Sequence, residues 1–157
     1  MSRSVSAVSI WSGILMAVLA LVWAGMVIGV SGLATPVKFE VADLTLPVAL
    51  EVGNVTFQLM NKVEWALGAL LLIAAIIARG PRWPLVMALI ALVLLAMQSL
   101  WFLPALADRV AIVAAGGTLP PASYHMWYVL SEAMKLIVLL ALGIAAIRRA
   151  IPQDQRL

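Results

Sequence analysis

The chain has 157 residues, of which 65% are hydrophobic and only 11% are charged, and its formal net charge is +3. About 20 apolar residues are enough to cross the hydrocarbon layer of a bilayer. This composition therefore excludes an ordinary soluble domain and predicts a single integral membrane domain over 1–157. The absence of cysteine excludes disulfides, thiolate catalysis and thiolate metal sites.

The first apolar segment covers 9–31 and predicts a transmembrane helix. We expect this helix to be retained rather than removed as a secretory signal, because its apolar run of about 20 residues exceeds the roughly 7–15 of a signal peptide. The helix is predicted to end at Gly32, before Thr35 and Pro36, since proline stops a helix.

A small-residue motif lies near the end of this first helix, where Gly25 and Gly29 are four residues apart and Gly32 follows. Such spacing lets another helix approach closely. The motif predicts packing either against another helix of the same chain or in a dimer, and we favour packing within the chain.

Three further apolar segments predict spans at 48–78, 84–107 and 122–147. Pro47 suits the first turn of the second helix, and Pro104 is predicted to kink the third. The connection between the second and third spans is short, so these helices should be antiparallel neighbours. The sequence therefore predicts an all-α protein, an integral membrane antiparallel four-helix bundle.

The distribution of basic residues predicts the orientation of this bundle. With four spans, the N-terminus, the second connection and the C-terminus share one side, which holds Arg3, Arg79, Arg82, Arg148, Arg149 and Arg156. The opposite side holds Lys38, Arg109 and most of the acids. Because Lys and Arg accumulate in cytoplasmic loops, both termini are predicted to be cytoplasmic, with the protein in the bacterial inner membrane.

Polar side chains interrupt the last three spans at helical spacing, so each span carries a polar stripe. Charges inside hydrocarbon cost about 3 kcal/mol or more, and we therefore expect the stripes to face one another. Glu64, Gln98, Glu132 and Lys135 lie about 20–24 Å along the helices from the arginine-rich ends, in the outer leaflet, and His125 lies further out. The predicted pocket for a ligand or ion comprises Asn61, Glu64, Gln98, Trp101, His125, Tyr128, Glu132 and Lys135.

Lys135 is the natural counter-ion in this pocket, for Glu64 or for Glu132 three residues before it. The cluster has two interpretations, a binding site for a ligand, ion or proton, which we favour, and a buried ion-pair network that fixes helix register. His125 beside a loop is more typical of a hydrogen-bonded histidine than of a metal ligand. No other histidine exists to complete a bis-histidine haem site. We find no catalytic motif, because Ser131 lacks a suitably spaced histidine and acid, and we predict no catalytic or metal-binding residues.

Short motifs on three helices resemble those of the four-helix membrane proteins grouped with transmembrane protein 205. They are Pro36 with Phe39 three residues on, Pro104 with Arg109 five residues on, and His125 followed by Tyr128 and Glu132. In the family a small hydroxyl residue and an amide stand where this chain has Tyr128 and Glu132. The glycine-rich opening is also similar to that of anthrone-oxygenase-like proteins. The resemblance implies a compact antiparallel bundle in a membrane and supplies no activity.

Three classes of function remain open. The favoured hypothesis is a membrane protein that binds a small molecule, ion or proton in an outer-leaflet pocket, with a transport or resistance role if the pocket also opens inward. The second is an accessory or assembly subunit of a larger membrane complex or a homo-oligomer. The third is a membrane enzyme acting on a lipophilic substrate, in which Glu64 or Glu132 would be the general base. The expected partner common to all three is the lipid bilayer, with no nucleic acid, and the cofactor is unknown.

Overall fold

The computed structural model describes residues 7–78, 81–118, 121 and 123–150. Within these residues there are no β-strands. Four helical segments are long and apolar enough to cross a membrane, and we call them the first to fourth helices: Ile10–Glu40, Leu46–Ile77, Trp83–Ala114 and Tyr124–Ala150. For the described residues, the prediction of an all-α protein with four helices long and apolar enough to span a membrane is confirmed. Arg3, Arg79 and Arg156, on which the predicted orientation partly depends, lie outside the described residues.

The first helix does not end at Gly32, so that prediction is wrong. It runs as an α-helix over Ala7–Val27, widens into a π-helix over Ile28–Ala34, and continues through Thr35–Val37 to a final 3₁₀ turn. Pro36 has no N–H, and in a regular α-helix its ring would clash with the carbonyl four residues before it. A π turn, with its hydrogen bonds five residues apart, lets the helix pass this position. The Thr35 hydroxyl donates to the Val30 carbonyl at 2.8 Å across the widened turn.

The third helix also has a π-helical segment just before a proline, Pro104. It is α-helical over Trp83–Met97, π-helical over Gln98–Phe102 and α-helical again over Leu103–Ala114. Pro104 lies in the first turn after the π-helix, so the proline changes the winding of the helix without ending it. The helix continues to Ala114, in keeping with the prediction that it reaches about 107 or beyond.

The second and fourth helices are uninterrupted. The second covers Leu46–Ile77 with Pro47 in its first turn, as predicted. The fourth covers Tyr124–Ala150, a few residues later than predicted, and Ala122 of the predicted span lies outside the described residues.

The first helix packs most extensively against the fourth, and the third helix contacts both the second and the fourth. The apolar core occupies one half of the bundle, where alanines of the first and third helices allow close approach. Its fully buried large side chains include Trp23, Leu71, Leu95, Leu139 and Leu142. The outward faces are also apolar, as in Leu100 and Ile137, which is typical of helices that face lipid rather than water.

The predicted packing of the glycine motif within the chain is wrong. A Cβ atom built on Gly25, Gly29 or Gly32 would meet nothing within 4 Å. The glycines that make room for a neighbour are others. A Cβ on Gly68 would lie 2.6 Å from Leu92 and 3.1 Å from the ring of Trp23, and one on Gly143 would lie 2.7 Å from Leu21.

Candidate functional site

Four ionisable or amide side chains from three helices meet in the middle of the bundle and form a buried ionic cluster. They are Glu64, Gln98, Glu132 and Lys135, and none has more than 5% of its surface exposed. The predicted stripes of the second, third and fourth helices do therefore converge at these positions. The cluster adjoins the apolar core and a cavity, and Val27 belongs to both the core and the cavity wall.

Lys135 is the centre of the cluster and is fully buried. Its Nζ pairs with Glu64 Oε1 and lies 2.7 Å from Glu132 Oε1, so the predicted contact three residues along the fourth helix is present. It also donates a hydrogen bond of 2.6 Å to Gln98 Oε1. One ammonium thus holds three helices together through three partners.

Trp23 of the first helix completes the environment of Glu64, because its indole N–H donates to Glu64 Oε1 at 2.8 Å. The indole is fully buried and fits beside Gly68, which lies one turn after Glu64 on the same helix. Any larger residue at position 68 would compete with this ring for space. Glu64 is therefore held by an indole and an ammonium at the same oxygen.

Both π-helical segments contribute polar groups to the cluster. Gln98, at the start of the second π-helix, also donates to Ser131 Oγ at 3.0 Å, and that hydroxyl donates to the Tyr128 carbonyl at 2.7 Å. Ser31, within the first π-helix, donates to Glu132 Oε2 at 3.4 Å. π turns in long helices are frequently found at functional sites. Their position beside the ionic cluster is therefore consistent with a functional role for the cluster.

The charges of the cluster do not balance. Glu64, Glu132 and Lys135 together carry a charge of −1 when all three are ionised. Glu64 accepts two hydrogen bonds at Oε1, whereas Glu132 Oε1 is buried, has no hydrogen-bond partner, and is paired with Lys135 by charge alone. Glu132 is therefore the less satisfied of the two carboxylates.

A cavity of about 820 Å³ lies beside the cluster and is lined by residues from all four helices. Its walls are mostly apolar, and they include the rings of Phe39, Phe57 and Tyr128. The rings of Phe57 and Tyr128 are in edge-to-face contact, with centroids 5.4 Å apart. Glu132 and Ser31 also line the cavity, so its polar contact point is the same carboxylate that lies at the edge of the ionic cluster.

The structure divides the predicted pocket residues into several groups. His125, Tyr128 and Glu132 line the cavity, whereas Glu64, Gln98 and Lys135 are buried in the cluster and are absent from the cavity wall. Trp101 is 72% exposed on the outer surface of the third helix, so its assignment to the pocket is wrong. It lies at the end of the π-helix, where the changed winding moves it from the face predicted by regular helical spacing.

Asn61 belongs to a different contact. Its amide donates to Ser99 Oγ at 2.7 Å, and the same hydroxyl accepts from the Trp65 indole at 3.0 Å. These bonds join the second and third helices outside the cluster. Of the residues in the family-like motifs, Pro36 and Phe39 line the cavity, whereas Pro104 and Arg109 do not.

Sequence reasoning missed Trp23 and Ser31, the two side chains by which the first helix reaches the carboxylates. Trp23 and Val27 are four residues apart and could have been placed on one face of the first helix, but nothing in the sequence distinguishes an indole donor from a packing residue. Thr35 and Pro36 contained a usable signal for Ser31, because a helix that passes this proline needs a wider turn just before it.

Within the described residues, no group of three or more histidine, aspartate and glutamate side chains is arranged to hold a metal ion. The polar groups of the site can stabilise a negative charge or bind a polar group of a ligand. Lys135, the Trp23 indole and the Gln98 amide stabilise negative charge, and Glu132 presents a carboxylate to an apolar cavity.

Fold and site together define a class, a multi-pass all-helical membrane protein with a buried ionic cluster beside a cavity. Comparisons of the chain with protein-family models, with curated proteins and with solved structures found no match. The resemblance to transmembrane protein 205-like proteins therefore stays a prediction.

Proposed function

We propose that this protein binds an amphipathic small molecule in the cavity, with Glu132 as the polar contact. The observation that carries the proposal is a mostly apolar cavity of about 820 Å³ with a single buried carboxylate at the edge of an ionic cluster. Ligand sites in proteins are typically about 300–1,000 Å³, mainly apolar, with a few polar groups that fix the orientation of the ligand. A network that only fixed helix register would need no such cavity.

The position of the cavity supports entry from the bilayer. Ile28 of the first helix and Val129 of the fourth line the cavity, and both are about half exposed on the lipid-facing surface. A lipophilic ligand could therefore enter sideways between these two helices. On the other side of the cluster, the core is closed by Leu71, Leu95 and Leu139, which favours binding over passage through the protein.

We propose that the bundle is antiparallel, that both termini are cytoplasmic, and that the cavity lies in the outer leaflet of the bacterial inner membrane. The contact of the Arg149 guanidinium with the Trp83 ring, at 5.9 Å, supports adjacent ends for the third and fourth helices. The chain has no cysteine, so Ala42→Cys and Pro81→Cys can each be labelled alone. A membrane-impermeant maleimide applied to intact cells should label position 42 and leave position 81 unlabelled, and the reverse pattern would contradict the orientation.

Filling the cavity tests the binding function. Val129→Trp places an indole at the cavity wall, whereas Leu130→Trp, the next residue, is equally exposed but does not line the cavity. The probe is decanol with a diazirine in its alkyl chain, added to protein in lipid nanodiscs. We expect saturable photolabelling of cavity residues in the wild type and in Leu130→Trp, and its loss in Val129→Trp.

Equal labelling of all three proteins, or labelling spread over the outer surfaces, would show that the cavity is not a binding site. Both variants put the new indole at a half-exposed position, so a general effect on folding should appear in both. The difference between the two variants therefore reports occupancy of the cavity.

The second candidate function, an accessory subunit or homo-oligomer, is favoured by the glycine motif of the first helix. A Cβ on Gly25 or Gly29 would meet no described part of the chain within 4 Å, and small residues let transmembrane helices associate. Gly32 lines the cavity instead. In that case Gly25→Leu should abolish a stoichiometric complex, seen by native mass spectrometry from lipid nanodiscs, and Val22→Leu should not. An unchanged complex, or none in the wild type, would count against this function.

A further inference from the structure

We propose that the ligand of the cavity is an amphipathic organic cation, with an ammonium group at Glu132 and an alkyl or aromatic body along the apolar walls. This inference rests on the proposed binding function and adds the chemical class of the ligand. It follows from the charge of the cluster, from the environment of Glu132, and from the aromatic rings around it.

The charge of the cluster favours a cation. Two buried carboxylates share the single ammonium of Lys135, so the three side chains carry an excess of one negative charge when all are ionised. An uncompensated charge in a low-dielectric interior is costly, and a second cation would compensate it. Lys135 is absent from the cavity wall, so a ligand in the cavity would meet Glu132 first, with the lysine behind it.

Glu132 can receive such a cation on the side of the cavity. The side chain is 95% buried, and its Oε1 is directed to the Lys135 ammonium at 2.7 Å. Its Oε2 accepts a long hydrogen bond of 3.4 Å from Ser31, and the Tyr128 hydroxyl is a further hydrogen-bonding partner of the carboxylate; both residues line the cavity. Glu64, by contrast, already accepts from Trp23 and Lys135 at one oxygen. Glu132 is thus the carboxylate of the cluster that a ligand in the cavity can reach.

The rings around the cavity suit an ammonium rather than a small metal ion. Phe39, Phe57 and Tyr128 all line it, and aromatic faces attract alkylammonium groups through their quadrupoles. A divalent metal ion would need several oxygen or nitrogen ligands, whereas among the described residues the only other ionisable side chains on the wall are His125 and the Tyr128 phenol. The Phe39 ring already has the Lys38 ammonium 5.0 Å from its centroid, so Phe57 and Tyr128 are the rings left for a ligand. One carboxylate with these two rings matches the recognition of a cation that carries apolar substituents.

The test uses three photolabels with the same diazirine-bearing decyl chain and different heads, trimethylammonium, hydroxyl and sulfonate. Each is titrated against wild-type protein, Glu132→Gln and the control Glu51→Gln in lipid nanodiscs. Glu51 is an exposed carboxylate of the second helix, so both substitutions change the net charge equally. Comparing variants with the same probe removes the effect of membrane partitioning.

We expect Glu132→Gln to weaken labelling by the trimethylammonium probe about tenfold, to leave the hydroxyl probe unchanged and to strengthen the sulfonate probe, with no effect of Glu51→Gln. Because Glu132→Gln leaves a neutral Glu64 and Lys135 pair, the variant should remain folded. Phe57→Leu is the second variant, and it should weaken the ammonium probe more than the hydroxyl probe, since leucine keeps the apolar contact and removes the ring.

The outcomes separate the two levels of the proposal. If no probe labels the cavity of the wild type, the proposed binding function itself fails. If the hydroxyl probe labels the cavity and the trimethylammonium probe shows no dependence on Glu132 or Phe57, the binding function stands and the inference of a cationic ligand is wrong. Tighter binding of the sulfonate probe than of the other two by the wild type would also overturn the inference.

Discussion

Replacement of Lys135 by methionine tests whether the ionic cluster is a coupled unit. The lysine is fully buried and contacts Glu64, Glu132 and Gln98. Methionine keeps a similar apolar length and removes the charge, so the two carboxylates lose their common partner. Removing one member of a buried ion pair typically costs about 3–5 kcal/mol, because the remaining charge is left uncompensated. We expect Lys135→Met to lower the free energy of unfolding by at least this amount.

The assay is unfolding in mixed micelles by titration with sodium dodecyl sulfate, followed by tryptophan fluorescence. The fully buried Trp23 lies beside the cluster and should report its disruption. Lys62→Met is the matched control, since Lys62 is an exposed lysine on a neighbouring helix. Its replacement should change the stability by less than about 0.5 kcal/mol.

A neutral triple variant tests why Lys135→Met lowers the free energy of unfolding. Lys135→Met combined with Glu64→Gln and Glu132→Gln removes every charge of the cluster while keeping its side-chain sizes, and buried ionic groups replaced by neutral ones are often tolerated. The triple variant should therefore be more stable than Lys135→Met alone. Wild-type stability for Lys135→Met, or a triple variant no better than the single one, would refute the view that uncompensated charge is what Lys135 prevents.

Two further predictions concern the first helix and its neighbour. Trp23→Phe removes the indole donor to Glu64 and should lower the free energy of unfolding by about 1.5–3 kcal/mol, the usual value of a hydrogen bond to a charged group. Trp11 is exposed, so Trp11→Phe should leave the free energy of unfolding almost unchanged. Equal losses in the two variants would show that the hydrogen bond contributes little. Gly68→Ala should cost about 1–3 kcal/mol in the same titration, because its Cβ would meet Leu92 and the Trp23 ring. Gly25→Ala, where a Cβ meets nothing within 4 Å, should be neutral or stabilise the helix by up to about 1 kcal/mol, and the opposite order of the two glycine variants would contradict the packing described.

The four spans could be predicted because hydrophobic length is a direct requirement of the bilayer. The meeting of Glu64, Gln98, Glu132 and Lys135 could also be predicted, since a charge on a membrane helix is costly unless it faces a partner. Both inferences depend on the free-energy cost of placing polar or charged groups in hydrocarbon, and regular helical geometry then gives the positions of the residues concerned.

Trp101 and the glycine motif show where such reasoning fails. Trp101 shares a regular helical face with Gln98, but the third helix is π-helical between them, and the change in winding turns the tryptophan outward. Gly25 and Gly29 fit a packing motif, yet the close contacts form at Gly68 and Gly143, where a particular large side chain needs the space. Local winding and the identity of the opposing side chain depend on tertiary structure, and a spacing pattern does not contain them.

The π-helical segment of the first helix, Ile28–Ala34, determines that Phe39 lies on the cavity wall. Val27, Ser31, Thr35 and Phe39 all line the cavity at intervals of four residues. In a uniform α-helix each residue advances by about 100°, so twelve residues would carry Phe39 about 120° around the axis from Val27. The slower winding before Pro36 cancels most of this drift and keeps the four side chains in one row. Pro36, which in a regular helix would break the hydrogen-bond pattern, here accompanies a change of winding that directs one row of side chains to the cavity over three turns.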